Sequence, residues 1–244
     1  MHPILFKIGP VTIYSYGFVV ASAFLLGSWL ILREARREGL NVETVLDVLV
    51  AILFGGLIGG RLLYVIINYG VYLEHPLRVF MVSEGGMAFH GGLAGGIAGA
   101  VIASKIRKQS LPVILDLMSP YVALGHAIGR VGCLLNGCCY GKEVSGLGLV
   151  FPGETVMRSP VQLYESLTLL ALFLVLKTVL EHRKFHGQVF AIYLMLYAVL
   201  RFLTESFRGD VPEFLPGLTL ARIISIGIFF CGSALYVWLC NRRS

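Results

Sequence analysis

Residues 45–67 read VLDVLVAILFGGLIGGRLLYVII, twenty-three residues whose only charges are Asp47 near the start and Arg61 near the end. A run of that length and character crosses a hydrocarbon core, which takes roughly 20 apolar residues at about 1.5 Å of rise each. Working outward, comparable runs fall at about 13–32, 87–106, 113–135, 162–180, 187–207 and 218–240. The pattern predicts an all-α polytopic integral membrane protein with seven transmembrane helices, forming a single transmembrane helical domain over 1–244. The run 113–135 is interrupted by Gly125, His126, Gly129 and Arg130. The segment 71–83 is apolar but too short to cross, which suits an interfacial or re-entrant piece. The stretch 141–160 is rich in Gly and Pro and reads as an extracytoplasmic loop or small cap. Ala21-Ser22-Ala23 resembles a signal-peptidase site but lies inside the first run, so that run reads as a retained span.

Composition agrees. Apolar residues make up 57% and charged residues 14% of the chain, against about 25% charged in ordinary globular proteins. Mean hydropathy is +0.80. A disordered chain, a disulfide scaffold and a soluble enzyme are excluded. The net charge of +6 is spread in short clusters between apolar runs, a mark of topology and not of nucleic-acid binding. No inverted repeat of the transporter kind is evident.

Orientation follows from alternate loops. One set holds Arg33, Arg36, Arg37, Lys105, Arg107, Lys108, Arg183, Lys184, Arg242 and Arg243, ten in all, while the other holds five: Lys7, Arg78, Lys142, Arg158 and Arg208. The richer set belongs in the cytoplasm, which puts the amino terminus outside and the carboxyl terminus inside.

Five cations remain within the spans: Arg61, Arg130, Lys177, Arg201 and Arg222. A charge at the bilayer centre costs at least about 2.5–3.5 kcal/mol, so each needs a reason. Lys177 is near a cytoplasmic end and can snorkel. The arginines all fall in the outer halves of their spans. Tyr14, Tyr16, His90, Gln162, Tyr164, Glu165, Glu205 and Arg208 lie at the same depth. The expectation is a shared polar cavity with Arg61 paired to Glu165 or Glu205. Tyr197, Arg201, Glu205 and Arg208 occupy one helix face, on which Glu205 can pair with Arg201 or Arg208. The arginines outnumber Glu165 and Glu205, and surplus guanidinium at headgroup depth attracts an anionic phospholipid headgroup.

His90 sits among glycines in Gly85-Gly86-Met87-Ala88-Phe89-His90-Gly91-Gly92, where little side-chain cover hides it. It suits proton transfer near neutral pH, or a structural hydrogen bond. The pairs Gly55/Gly59, Gly56/Gly60, Gly91/Gly95 and Gly92/Gly96 read as helix-packing grooves. Cys133, Cys138 and Cys139 read as packing residues or as a disulfide between Cys133 and one of the pair. Adjacent cysteines seldom ligate one metal, and no matching pair follows at zinc spacing. Cys231 and Cys240 read as packing.

Taken in order, Gly59-Gly60-Arg61, Phe89-His90-Gly91-Gly92, Gly129-Arg130-Val131-Gly132 with Asn136-Gly137 and Gly141, Pro160-Val161-Gln162-Leu163-Tyr164-Glu165, and the Tyr197/Arg201/Glu205/Arg208 face resemble the prolipoprotein diacylglyceryl transferase family. The likeness runs from about Tyr16 to Ile226. The chain departs from the family pattern at Cys133, where Asn is usual, at Cys138, where an acidic residue is common, and at Ser159, where His is frequent. The resemblance implies transfer of a diacylglyceryl group from phosphatidylglycerol to a lipobox cysteine thiol in a prolipoprotein signal peptide. It implies a bacterial inner (cytoplasmic) membrane location with the site facing the periplasm, and neither metal nor cofactor. On this reading His90, Arg130 and Arg201 are catalytic. Arg130, Arg201, Arg208, Tyr16, Tyr197, Asn136, Gly141, Gln162 and Glu205 contact substrate or bilayer lipid, and Arg61, Glu165, Gly91 and Gly92 support them. A lipid or solute transporter would instead distribute polar groups towards both faces, and a membrane thiol-redox partner would use Cys138-Cys139.

Overall fold

A computed structural model describes residues 1–9, 11–81, 85–146, 148–209, 213–215 and 218–242. Arg243, counted above for orientation, lies outside them, as do Val82 and Ser83 of the segment 71–83 and Leu147 of the segment 141–160. Seven helices are long and apolar enough to cross a membrane: α1 (Ser15–Arg37), α2 (Val42–Ile67), α4 (Phe89–Ile106), α5 (Leu111–Asn136), α6 (Val161–Glu181), α7 (Gln188–Glu205) and α8 (Leu220–Asn241). A short α3 (Tyr69–Glu74) and a 3₁₀ turn, Pro76–Phe80, occupy the segment too short to cross. Leu73, Leu77 and Phe80 stay exposed there, as suits a piece lying at an apolar boundary. Helix α1 outruns its apolar stretch because Arg33, Arg36 and Arg37 continue it until Gly39, at φ +68°, closes it. Gly39 N–H bonds Arg36 C=O and Leu40 N–H bonds Ala35 C=O.

Backbone packing groups the residues into two compact units: Met1–Ile31 with Leu115–Ser244 (unit one), and Leu32–Ile114 (unit two). In unit one, Ala123 and Ala127 of α5, Leu169, Leu172, Leu176 and Leu180 of α6, and Val189 of α7 form a buried cluster. Asp116 of α5 accepts the N–H groups of Gly187 and Phe190 at 2.6 and 2.9 Å, satisfying the open amides at the start of α7. Helix α5 stays continuous through Gly125, His126, Gly129 and Arg130 because it is the most enclosed span. Half of its most apolar window is buried, against 11–28% in the others. Small and polar residues are tolerated there because neighbouring protein, not lipid, surrounds them.

Two small sheets in unit one lie outside the expectation of a purely helical chain: β1 (Ile4–Ile8) with β2 (Val11–Tyr14), leading into α1, and β3 (Leu149–Val150) with β4 (Met157–Arg158), within the expected cap. A third pair, β5 (Glu213–Leu215) and β6 (Leu218–Thr219), precedes α8. Phe151 is buried beneath Tyr140 in the cap, with ring centroids 4.8 Å apart.

Unit two is built on glycine. A Cβ added at Gly55, Gly59 or Gly99 of either helix would land on the carbonyl of Gly95, Gly91 or Ala51 across the α2–α4 contact. Backbones meet where side chains are missing, which is how helices associate closely in lipid. Arg61 is buried here, and its partners correct the expected pairing with Glu165 or Glu205. Its five N–H groups go to backbone carbonyls: Val79 at 2.9 Å, Gly85 at 2.6 Å, Gly86 at 3.0 Å, Met81 at 3.2 Å, and Arg78. Tyr72 lies beneath the guanidinium, 5.5 Å from it. Carbonyls from the 3₁₀ turn and from the start of the approach to α4 thus converge on one planar five-donor group. Arg61→Ala should cost about 2 kcal/mol, read as a lower unfolding midpoint in detergent, and Arg61→Lys, with three donors, should recover only part of it.

Candidate active site

Charges from three helices of unit one converge. Nε of Arg130 (α5) stands 2.7 Å from Oε2 of Glu165 (α6), and Nη1 of Arg201 (α7) donates to Oε1 of the same carboxylate at 3.3 Å. Nη2 of Arg201 is 2.6 Å from Oε2 of Glu205, one turn further along α7. Oγ1 of Thr219, which caps the start of α8, donates to Oε1 of Glu205 at 2.9 Å. A continuous polar chain therefore links α5, α6, α7 and α8. Both carboxylates are nearly buried, at 6% and 0% side-chain exposure, and the guanidiniums are exposed by only 13% and 19%. Charges this far from water persist only when paired.

The pairing revises the expected cationic surplus. Within the cluster two guanidiniums face two carboxylates, so Arg130 and Arg201 alone supply no net positive charge. Arg222 donates to Ser206 Oγ at 2.6 Å and lies over the Phe202 ring. Arg208 pairs through its backbone with Gly141 and acts electrostatically on the Cys139 thiol.

Beside the cluster is a small cleft with about 10 Å³ of free space, room for about one water, lined by His126, Arg130, Glu165, Thr168, Leu169, Tyr197, Leu200, Arg201 and Thr204. That is far below the roughly 300–1,000 Å³ of a ligand pocket, so a headgroup would need the cleft to widen. Tyr197 stacks on Tyr193 and packs against His126, with centroids 5.7 Å apart in both cases. The guanidinium forks and hydroxyls lining it are groups that can donate hydrogen bonds to an anion. His126, Thr168 and Thr204 escape a reading that looks for charge. The available signal was helical spacing: His126 is four residues before Arg130, Thr168 three after Glu165, and Thr204 three after Arg201.

The other expected residues of unit one surround the end of α5. Gln162 is fully buried and donates from Nε2 to the Cys138 carbonyl at 2.7 Å. Asn136 closes α5 and is exposed. Tyr16, in the first turn of α1, packs over Gly132. Gly141 is buried, and a Cβ there would meet the Phe207 carbonyl at 2.7 Å and Val161 Cγ2 at 2.5 Å. Cys133, Cys138 and Cys139 are free thiols, so the disulfide weighed from the sequence is not formed. Unit two carries His90, exposed on the first turn of α4 with its ring against Phe89, together with Arg61, Gly91 and Gly92.

The cap carries its own ion pair. Glu154 accepts from Tyr140 Oη at 2.7 Å and from Nε and Nη2 of Arg158, both at 2.9 Å. The Tyr140 hydroxyl, then the Arg158 guanidinium, hold the Glu154 carboxyl below its ordinary 4.5. A depressed folded value means the contribution is full above pH 4.5 and is lost as pH falls through the folded value. Proteolysis of the cap should therefore rise in acid for the native chain, while Glu154→Gln should be cleaved faster at neutral pH and respond less to acid.

The sequence matches known proteins along almost its whole length. The family model for prolipoprotein diacylglyceryl transferase matches residues 3–238. A phosphatidylglycerol–prolipoprotein diacylglyceryl transferase of Geobacter sulfurreducens is 35% identical, covering 99% of this chain and 96% of its own. Proteins of the same name from Bacillus licheniformis and Wolbachia pipientis are each 32% identical, over 98% and 100% of this chain and 92% and 97% of theirs. With seven membrane-crossing helices and a match along almost all of its length, this chain is a multi-pass membrane protein belonging to the prolipoprotein diacylglyceryl transferase family.

Proposed function

We propose that this chain transfers a diacylglyceryl group from phosphatidylglycerol to the thiol of the lipobox cysteine of a prolipoprotein, the first step of lipoprotein maturation. The observation that carries the reading is the meeting of Arg130 and Arg201 on the two oxygens of one carboxylate, Glu165. It stands in a chain whose full-length relatives bear the name of that transferase. In the reaction the thiol sulfur bonds to the terminal glyceryl carbon and the carbon–oxygen bond to phosphate breaks. Glycerol phosphate leaves with the electron pair, and the thiol proton passes to a base. Neither an oxidant nor a further reactant is needed.

Arg130 and Arg201 hold the lipid phosphate and stabilise the charge that grows on it as it departs. Each guanidinium has five donors; Arg201 gives one to Glu165 as a hydrogen bond, and the other carboxylate contacts are ion pairs, so the planar forks retain donors of the kind that match a phosphate. Glu165 fixes the separation of the two forks, and Glu205 with Thr219 steadies Arg201 from behind. Arg208 serves nearer the exit. Tyr16, Tyr197, Asn136, Gly141 and Gln162 shape the headgroup and acceptor sites, and His126 joins them from within the cleft. His90 takes the thiol proton, from a group of pKa about 8.5, or orients the headgroup. Lipid and signal peptide enter laterally from the bilayer. The Lys/Arg count supports an outside amino terminus, an inside carboxyl terminus, and a site on the periplasmic side of a bacterial inner membrane.

The test is to incubate the purified chain with phosphatidylglycerol and a lipobox peptide and to weigh the peptide. The expected result is a gain of one diacylglyceryl unit at the cysteine. An unmodified peptide beside folded protein overturns the reading.

A further inference from the structure

Three thiols meet where α5 ends, and the chain's own geometry brings them there. Gly137 takes φ +75°, Gly137 N–H bonds Leu134 C=O, and Cys138 N–H reaches back to Cys133 C=O, both at 3.1 Å. In this helix closure, the residue after the left-handed glycine folds over the residue five positions earlier, a contact usually filled by two apolar side chains. Here both are cysteines. Cys139 then takes φ +65°, a left-handed conformation uncommon for a residue with a Cβ, and turns a third thiol towards the same point. Buried Gln162 fixes the turn from α6 through the Cys138 carbonyl.

The sulfurs of Cys138 and Cys139 are 3.7 Å apart, and all three sulfurs lie within 4.8 Å of one another. Sulfurs sharing one cation at a metal–sulfur distance of about 2.3 Å stand roughly 3.8–4.0 Å apart, whether tetrahedral or trigonal. A disulfide requires about 2.05 Å; the 3.7 Å contact, an S–H···S hydrogen bond from Cys139 to Cys138, falls close to the co-ligand spacing. Arg208, and more weakly Arg130, act electrostatically on the Cys139 thiol, and positive charge there favours a thiolate.

We propose that Cys133, Cys138 and Cys139 form a three-thiolate site for a single soft d¹⁰ cation, zinc(II) or copper(I). The adjacency that argues against a shared metal in an extended chain is overcome by the two left-handed residues, Gly137 and Cys139, that bracket Cys138. Binding replaces three S–H protons with three metal–sulfur bonds and changes no oxidation state. Three sulfurs complete a trigonal copper(I) site and leave zinc(II) one open position.

The site is independent of the transferase reading, because metal retention is measured without turnover. Full-length chain, reduced and metal-free in detergent, is exposed to zinc(II) or copper(I), freed of loose metal by a weak chelator, and its metal counted by mass spectrometry. The expected result is about one ion per chain with one or both metals, and the better-retained metal identifies the cation. Cys133→Ser, Cys138→Ser and Cys139→Ser should each lower retention at least about ten-fold, while the double variant Cys231→Ser/Cys240→Ser keeps it. A second readout uses the unaltered chain: the retained metal should slow alkylation of Cys133, Cys138 and Cys139 selectively. Equal, low retention in the unaltered chain and the triple variant with both metals, with alkylation unchanged, overturns the proposal.

Discussion

Replacing Arg130 or Arg201 with alanine should lower diacylglyceryl transfer by about 10²–10³-fold, the loss that follows removal of one donor aimed at a developing anion. The effect should fall mainly on kcat, because the charge on the departing phosphate grows along the reaction and each fork engages it most strongly late. Lysine should recover little at either position. It keeps the charge but presents a point of three donors in place of a planar fork, and must share it with Glu165. An unfolding midpoint measured on the same samples separates lost chemistry from lost structure. If both alanine variants transferred at the unaltered rate, the two arginines would not be the phosphate site.

The second large effect is on stability. Among the described residues, Glu165 is the ion-pair partner of Arg130 and one of two for Arg201. Glu165→Ala leaves two guanidiniums facing each other with little water to relieve them. Breaking a buried pair by removing one partner costs about 3–5 kcal/mol, and a comparable loss is expected here as a fall in the denaturation midpoint. Glu165→Gln should fall between, since an amide oxygen still accepts while the charge is gone. The test of cause is a double variant: removing Arg130 together with Glu165 should cost less than the sum of the two separate losses, because the stranded charge is then removed too. Strict additivity would mean that the two side chains are not coupled.

The membrane helices were legible because the signal for a span is long and one-dimensional. Helix ends shifted by only a few residues, most where α1 ran on through Arg33, Arg36 and Arg37 to Gly39. The Arg201–Glu205 pair was legible for a similar reason, since a spacing of four residues on a helix is itself a contact. Partners on different helices were not. Nothing in the order of residues says that Glu165 lies between Arg130 and Arg201 and not beside Arg61. The partners of Arg61 are carbonyls, which every residue carries and no sequence pattern marks. His126 was passed over as an interruption of α5, although its spacing from Arg130 put it on the same face. The β1–β2 hairpin was hidden because its apolar residues merge into those of α1. The meeting of Cys133 with Cys138 depends on one backbone event, the left-handed turn at Gly137, which linear spacing does not mark.

The central claim is that guanidiniums on α5 and α7, held by Glu165, grip an anionic lipid headgroup. Its most direct measurement is lipid retention by native mass spectrometry of the purified chain in mixed micelles of phosphatidylglycerol and zwitterionic phosphatidylethanolamine. The chain should retain phosphatidylglycerol in preference, and the preference should disappear in the double variant Arg130→Gln/Arg201→Gln while that protein stays folded. Equal retention of the two lipids by the unaltered chain, or a preference that survives loss of both arginines, would contradict the account.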